Sequence, residues 1–224
     1  MYNDLFVFID RADAGEKLAA KLLEEPVIQE AVREELLVLS IPRGGVVVGA
    51  VVARELGCSH DVIAVKKIGY PGHKELAIGA MAEDGTLVLN PHLTSQFDHY
   101  VEQAMKRASN QVKTVIRKFR QRRVLDVESK IVIVVDDGIA TGETVKAAVI
   151  WLRSKECAQR PKKVIVAVPV SSPRAAREIQ ELSDEFVCLY LPQRFWAVGQ
   201  FYWDFDQVSD EAAREYLPHS AAAP

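Results

Sequence analysis

Five short apolar runs stand out along the chain: LLVLSI at 36–41, VIAVK at 62–66, IVIVV at 131–135, VIVAVPV at 164–170 and EFVCLYL at 185–191. Each is nearly continuous, with Val, Ile and Leu throughout. Strands buried on both faces of a parallel sheet read this way. Between the runs lie segments with helical spacing, at 13–32, 45–56, a long amphipathic stretch near 93–122, 144–155 and 172–182. In the first of these Leu18, Leu22 and Leu23 share a face, and Pro26 ends or kinks the helix. Strand and helix alternate, which predicts an α/β fold: a doubly wound, mostly parallel sheet with right-handed crossovers. Such sheets bind ligands beyond the carboxyl ends of their strands. The loops after Ile41, Val65 and Val135 are therefore where chemistry is expected.

Composition narrows the function classes. At 224 residues and 49% hydrophobic, the chain can bury one sizeable core, so residues 1–224 are expected to form one domain. A formal charge of −3 lacks the basic excess of a nucleic-acid binder. No apolar run is long enough to cross a bilayer, and MYNDLFVFIDRADAGEKL lacks the pattern of a secretory signal. We expect a cytoplasmic protein with neither a nucleic-acid nor a membrane partner. Cys58, Cys157 and Cys188 are scattered, and neither they nor the histidines show disulfide or metal spacing.

The third run ends in VVDDGIATGETV. Two adjacent carboxylates, Asp136 and Asp137, repel each other at a strand end unless a cation or hydroxyls meet them. Gly138 to Thr144 are small and rich in donors, and they lead into a helix near Glu143 or Thr144. Backbone N–H groups in such a turn, aided by the helix dipole, suit an anion. The acids suit vicinal sugar hydroxyls, a divalent metal, or both. Together they describe a site for a ribose 5-phosphate. The first run ends in SIPRGGVVVG, where glycines admit backbone close to an anion and Arg43 adds a fork of donors. The second is followed by VKKIGYPGHKELAIGAM, a polar, basic, glycine-containing stretch.

The stretch VVDDGIATGET resembles the phosphoribosyl pyrophosphate (PRPP) motif of type I phosphoribosyltransferases. The resemblance implies that Asp136 and Asp137 hold the ribose hydroxyls, and a magnesium ion with Asp204. It implies that Ala140, Thr141, Gly142, Glu143 and Thr144 wrap the 5-phosphate. It makes Arg43, Gly44 and Gly45 the pyrophosphate loop, with a non-proline cis peptide near Arg43–Gly44. It makes 66–81 the mobile catalytic loop, with Lys67 as pyrophosphate ligand, Lys66 and Lys74 as the alternatives, and His73 as a further donor. Asp136, Asp137, Lys67 and Arg43 would carry catalysis.

LPQRFWAVGQFYWDFDQ resembles the hood over the nucleobase in 6-oxopurine enzymes, with one extra residue between Phe195 and Val198. Residues 192–217 would form the hood, and Phe195 or Trp196 would stack on a base. Where those enzymes carry a proton-handling aspartate, this chain has Ala140, which argues against a 6-oxopurine and leaves the acceptor open. Segments from FIDRADAGEKLA to FWAVGQFYWDF resemble stand-alone phosphoribosyltransferase-like proteins. That family resemblance implies a homodimer that transfers a phosphoribosyl group from PRPP, with magnesium, to a nitrogenous base or amine. The alternative is a PRPP sensor using the same pocket without transfer.

Overall fold

Residues 7–70, 73–83, 85, 87–89, 98–120, 125–153 and 160–217 are described by a computed structural model of the chain. In chain order the elements begin with α1 (Arg11–Leu22), α2 (Pro26–Gln29), β1 (Leu36–Ser40), α3 (Gly44–Leu56) and β2 (Ser59–Val62). Then come β3 (Lys66–Tyr70), β4 (His73–Met81), β5 (Leu87–Leu89) and α4 (Asp98–Val115), which widens into a π-helical turn at Ile116–Arg120. The second half holds β6 (Ile131–Val135), α5 (Glu143–Arg153), β7 (Lys163–Val170), α6 (Pro173–Leu182), β8 (Glu185–Tyr190) and α7 (Asp210–Glu215).

The apolar runs pair as a five-stranded parallel sheet in the order β2–β1–β6–β7–β8. Every residue of β1 and β6 is buried, as their unbroken apolar sequences require. Alternate side chains serve opposite layers. Leu36, Val38, Ile131, Ile133 and Val135 pack with Leu18 and Leu22 of α1 and Val48 and Val52 of α3. Leu37, Leu39, Val132 and Val134 pack with Val149 and Leu152 of α5 and Ile179 of α6. The fold is α/β with a mostly parallel sheet, as the periodicity predicts.

The first helix ends before Pro26, which starts a separate short helix, α2. The run 62–66 is not one strand. β2 stops at Val62, Ile63 N still donates to Ser40 O at 3.0 Å, and Lys66 opens β3 in another sheet. Ile63, Ala64 and Val65 are buried in the crossing between the sheets, so the run reports burial but not pairing. The stretch 66–81, expected as the mobile catalytic loop, supplies β3 and β4 of an antiparallel sheet β3–β4–β5, with bulges near Gly69. Ile68 and Met81 of this sheet pack on Ala108 and Val112 of α4.

The two ends of the described chain are knitted together beside the sheet. Phe8 pairs with Tyr202 in a parallel bridge. Trp203 N donates to Phe8 O and Asp204 N to Ile9 O, at 2.9 and 2.8 Å. Phe8, Val170, Phe201 and Tyr202 form a small buried cluster beneath them. Further on, Ala213 of α7 and nearby Leu217 pack against Val46, Val62 and Phe119.

Candidate functional site

β1 and β6 are neighbours, and the chain leaves them in opposite directions, toward β2 and toward β7. The crevice of a doubly wound sheet opens at such a reversal, outside the carboxyl ends of the two strands. Ser40-Ile41-Pro42-Arg43 and Val135-Asp136-Asp137 meet there.

The approach is close enough to require glycine. A Cβ on Gly44 would fall 1.8 Å from Asp137 Oδ2, and one on Gly45 would fall 2.9 Å from the Asp136 Cα. The expected cis peptide is present one bond earlier, at Pro42–Arg43. Asp137 N donates to Asp136 Oδ1 at 2.9 Å, and Arg11 Nε donates to Asp137 Oδ2 at 2.8 Å. Burial, then the charge of Asp137, pushes the Asp136 carboxyl well above the usual carboxylate range. Burial also raises Asp137, against the opposing charge of Arg11.

The turn that follows is braced from the next strand. Ile139 N donates to Val170 O and Ser172 N to Ile139 O, while Ser172 Oγ donates to Ala140 O. Gly142 adopts a left-handed φ of 75°, which lets the turn enter α5 at Glu143. Lys146 Nζ donates to Glu143 Oε1 and to Glu178 Oε2, both at 2.5 Å. Burial lowers the Lys146 pKa, but these two carboxylates outweigh it and hold the ammonium charged.

Three hollows share walls along this line. One of about 160 Å³ is lined by Asp136, Ala140, Thr141, Gly142, Glu143 and Thr144. It shares Asp136 and Thr144 with a cleft of about 390 Å³ that adds Asp137, Pro42, Arg43, Gly44 and Lys66. Arg43, Gly44 and Lys66 continue into a hollow of about 580 Å³ with Arg11, Phe205, Gln207 and Asp210. Burial, then the charge of Arg43, lowers the Lys66 pKa.

Asp136, Asp137, Arg43, Gly44, Lys66 and the 140–144 turn are thus brought together, with Gly45 packed against the acids. The side chains of Lys67, His73 and Lys74 lie outside the described residues. Phe195, Trp196 and Asp204 do not line the three hollows. Phe195 packs on Phe201 with ring centres 5.3 Å apart. Trp196 is 80% exposed. The Asp204 carboxylate accepts from Asp206 N at 3.1 Å. Phe205 is the aromatic of the C-terminal segment that lines the groove, together with Phe119, and the Arg11 guanidinium lies 3.8 Å from the Phe205 ring centre. Sequence spacing gives no sign of Arg11, and Tyr202 and Phe205 stand in it only as members of the aromatic-rich stretch 195–205. The acidic pair was a signal that some cation must approach, but its position 126 residues upstream of Asp137 was not.

Among the described residues, no group of three or more His, Cys, Asp or Glu side chains is arranged to hold a metal ion, and no helix is long and apolar enough to cross a membrane.

The phosphoribosyl transferase domain family model matches residues 9–206. A Mycobacterium tuberculosis protein provisionally named a phosphoribosyl transferase is 37% identical over 215 residues, covering 94% of this chain and 46% of that one. The chain thus spans about half the length of the curated relatives it matches. A crystal structure from Thermus thermophilus shares the fold, with a TM-score of 0.78 and 40% identity, covering 94% of this chain and 97% of that one.

Proposed function

The chain belongs to the type I phosphoribosyltransferase family, and we propose that it binds PRPP in the groove and transfers the phosphoribosyl group to a nitrogen nucleophile. The observation that carries this reading is the shared wall. The acids at the end of β6 stand between an anion-type turn at 140–144 and the Arg43–Gly44 turn with Lys66.

The N–H groups and hydroxyls of Ala140, Thr141, Gly142, Glu143 and Thr144 take the 5-phosphate at the start of α5. Asp136 and Asp137 take the ribose hydroxyls, which relieves the mutual repulsion of the pair. Arg43, Gly44, Gly45 and Lys66 take the pyrophosphate, with Lys67, His73 and Lys74 of β3 and β4 as further candidates. The nitrogen–C1 bond forms as the C1–O bond breaks, with inversion at C1. The electron pair of the broken bond leaves with pyrophosphate, whose charge Arg43 and Lys66 stabilise.

The acid pair fits a magnesium ion that arrives on the substrate better than a resident metal centre. It offers two hard oxygen donor groups, with the rest of the shell left to substrate and water. Asp136 and Asp137 would hold it, and Asp204 is left out because it does not line the groove. When bound, magnesium neutralises charge on the pyrophosphate.

We read residues 192–217 as the hood of a single domain spanning 1–224, and Phe205, rather than Phe195 or Trp196, as its ring at the groove. The acceptor stays a nitrogenous base or amine. Ala140 carries no carboxylate for a purine proton, which disfavours 6-oxopurines. A homodimer is the family expectation, checked by sedimentation.

PRPP-dependent release of pyrophosphate, measured across purines, pyrimidines and small amines, tests the reading. Release with one acceptor class supports a transferase. A PRPP-induced melting shift without release from any acceptor points to a sensor.

A further inference from the structure

Arg11 enters the site from outside the three motif loops. It is the first residue of α1, directly after the capping Asp10. Its Nε donates to Asp137 Oδ2 at 2.8 Å and its Nη1 to the carbonyl of Asp206 at 2.9 Å. The face of the guanidinium lies on Phe205, 3.8 Å from the ring centre. The pair is largely shielded, with the Arg11 side chain 11% exposed and that of Asp137 16%. A Cβ on Gly44 would lie 2.9 Å from Arg11 Nε. One planar cation therefore touches the acid pair, the Arg43–Gly44 turn and the C-terminal segment.

We infer that Arg11 is a positioning residue that holds one oxygen of Asp137 while stacked on Phe205, leaving the other oxygen for a ribose hydroxyl and setting the C-terminal segment over the same ligand. The inference rests on the phosphoribosyl reading of the groove. A free carboxylate rotates about its Cβ–Cγ bond, and a hydrogen bond from a shielded guanidinium removes that freedom. The guanidinium suits the task because its donors point along fixed directions in one plane while its face remains free to stack. A lysine at this position keeps the charge. Its single ammonium on a flexible stem does not reproduce two donors in fixed directions and a stacked face.

The test uses Arg11→Lys, Arg11→Gln and Phe205→Leu, with calorimetric titration of PRPP, ribose 5-phosphate and pyrophosphate in magnesium buffer. Both Arg11 variants are expected to bind the two ribose ligands about tenfold more weakly, with pyrophosphate affinity held within about twofold. Phe205→Leu keeps the ion pair, and is expected to show a smaller loss of the same ribose-selective kind. It reads the claim even where an Arg11 variant fails to fold. Equal weakening of all three ligands would mean a merely structural role and overturn the inference. Full ribose affinity in Arg11→Lys would mean that charge alone suffices, and would also overturn it. A wild-type protein that binds pyrophosphate but neither ribose ligand would overturn the phosphoribosyl reading and the inference with it.

Discussion

Tyr202 donates its phenolic hydroxyl to the main-chain carbonyl of Asp137 at 2.6 Å, joining the C-terminal segment to the acidic turn across 65 residues. Tyr202 is 2% exposed and lies against Phe8 and Phe205, with ring centres 5.1 and 4.8 Å away. Burial, then the negative charge of Asp137, raises its pKa, so the hydroxyl stays a donor. Tyr202→Phe keeps the packing and removes the donor. We predict a loss of about 1–2 kcal/mol in urea unfolding, the cost of an unsatisfied buried carbonyl. Unchanged stability would mean that water replaces the hydroxyl there.

Gly44 lies so close to Asp137 that a methyl group cannot be added without moving the carboxylate, since the two would be 1.8 Å apart. Gly44→Ala therefore disturbs the acid pair at its source. The expected result is a drop in PRPP affinity of about tenfold or more with the helical circular dichroism retained, the strain being roughly 1–3 kcal/mol. Wild-type affinity in this variant would show that the acid moves away freely.

Glu143 puts a carboxylate in a turn assigned to a phosphate, and Lys146 answers it from the same helix while also bonding Glu178. Lys146→Met leaves Glu143 uncompensated, so PRPP affinity should fall about three- to tenfold. Adding Glu143→Gln should recover most of it. A double variant no better than Lys146→Met would remove the compensation argument.

His60 sits beside the end of β1, its Nε2 2.8 Å from Ser40 Oγ. Burial pushes its pKa down to about 4, with the backbone at Tyr216 opposing. The unfolded state, with histidine near ~6.5, binds the proton more readily than the folded state. Stability contributed by neutral His60 is therefore present above that unfolded value and is lost as the pH falls toward 4. The raised carboxyls of Asp136 and Asp137 act in the opposite sense, because the folded state holds their protons more tightly and stability falls as they ionise. The His60 share is isolated by difference. Chemical unfolding of wild type and His60→Gln between pH 7 and 4 should show a stability decline of a few kcal/mol that the variant lacks. Parallel pH curves would mean that His60 protonates freely in the folded protein.

The sheet and the acidic turn were legible because their causes are local. IVIVV followed by two carboxylates is readable within a few residues, and the structure places that boundary after Val135. Pairing was less legible. Ile63, Ala64 and Val65 look like strand residues because they are buried, yet they cross from one sheet to the other. The stretch from Lys66 to Met81 looks like a loop because Lys66-Lys67 and His73-Lys74-Glu75 are polar and Gly69 interrupts it, although Tyr70 pairs with His73. Arg11 was not legible at all, since nothing in the residues around it indicates a partner at Asp137. The aromatic-rich C-terminal segment announced a cluster, but which ring faces the groove depends on how the distant Phe8 packs against Tyr202.

The role of the acid pair in holding PRPP is read out by the melting-temperature shift that PRPP and magnesium produce in wild type and in Asp137→Asn. At about a hundredfold excess over Kd a ligand adds roughly 2.7 kcal/mol, which for a chain of this size is about 5–10 °C. Such a shift is expected for the wild type and its loss in Asp137→Asn, with pyrophosphate release falling by orders of magnitude. A wild-type protein that shows no shift with PRPP, or an Asp137→Asn variant that binds and turns over like the wild type, would contradict that role.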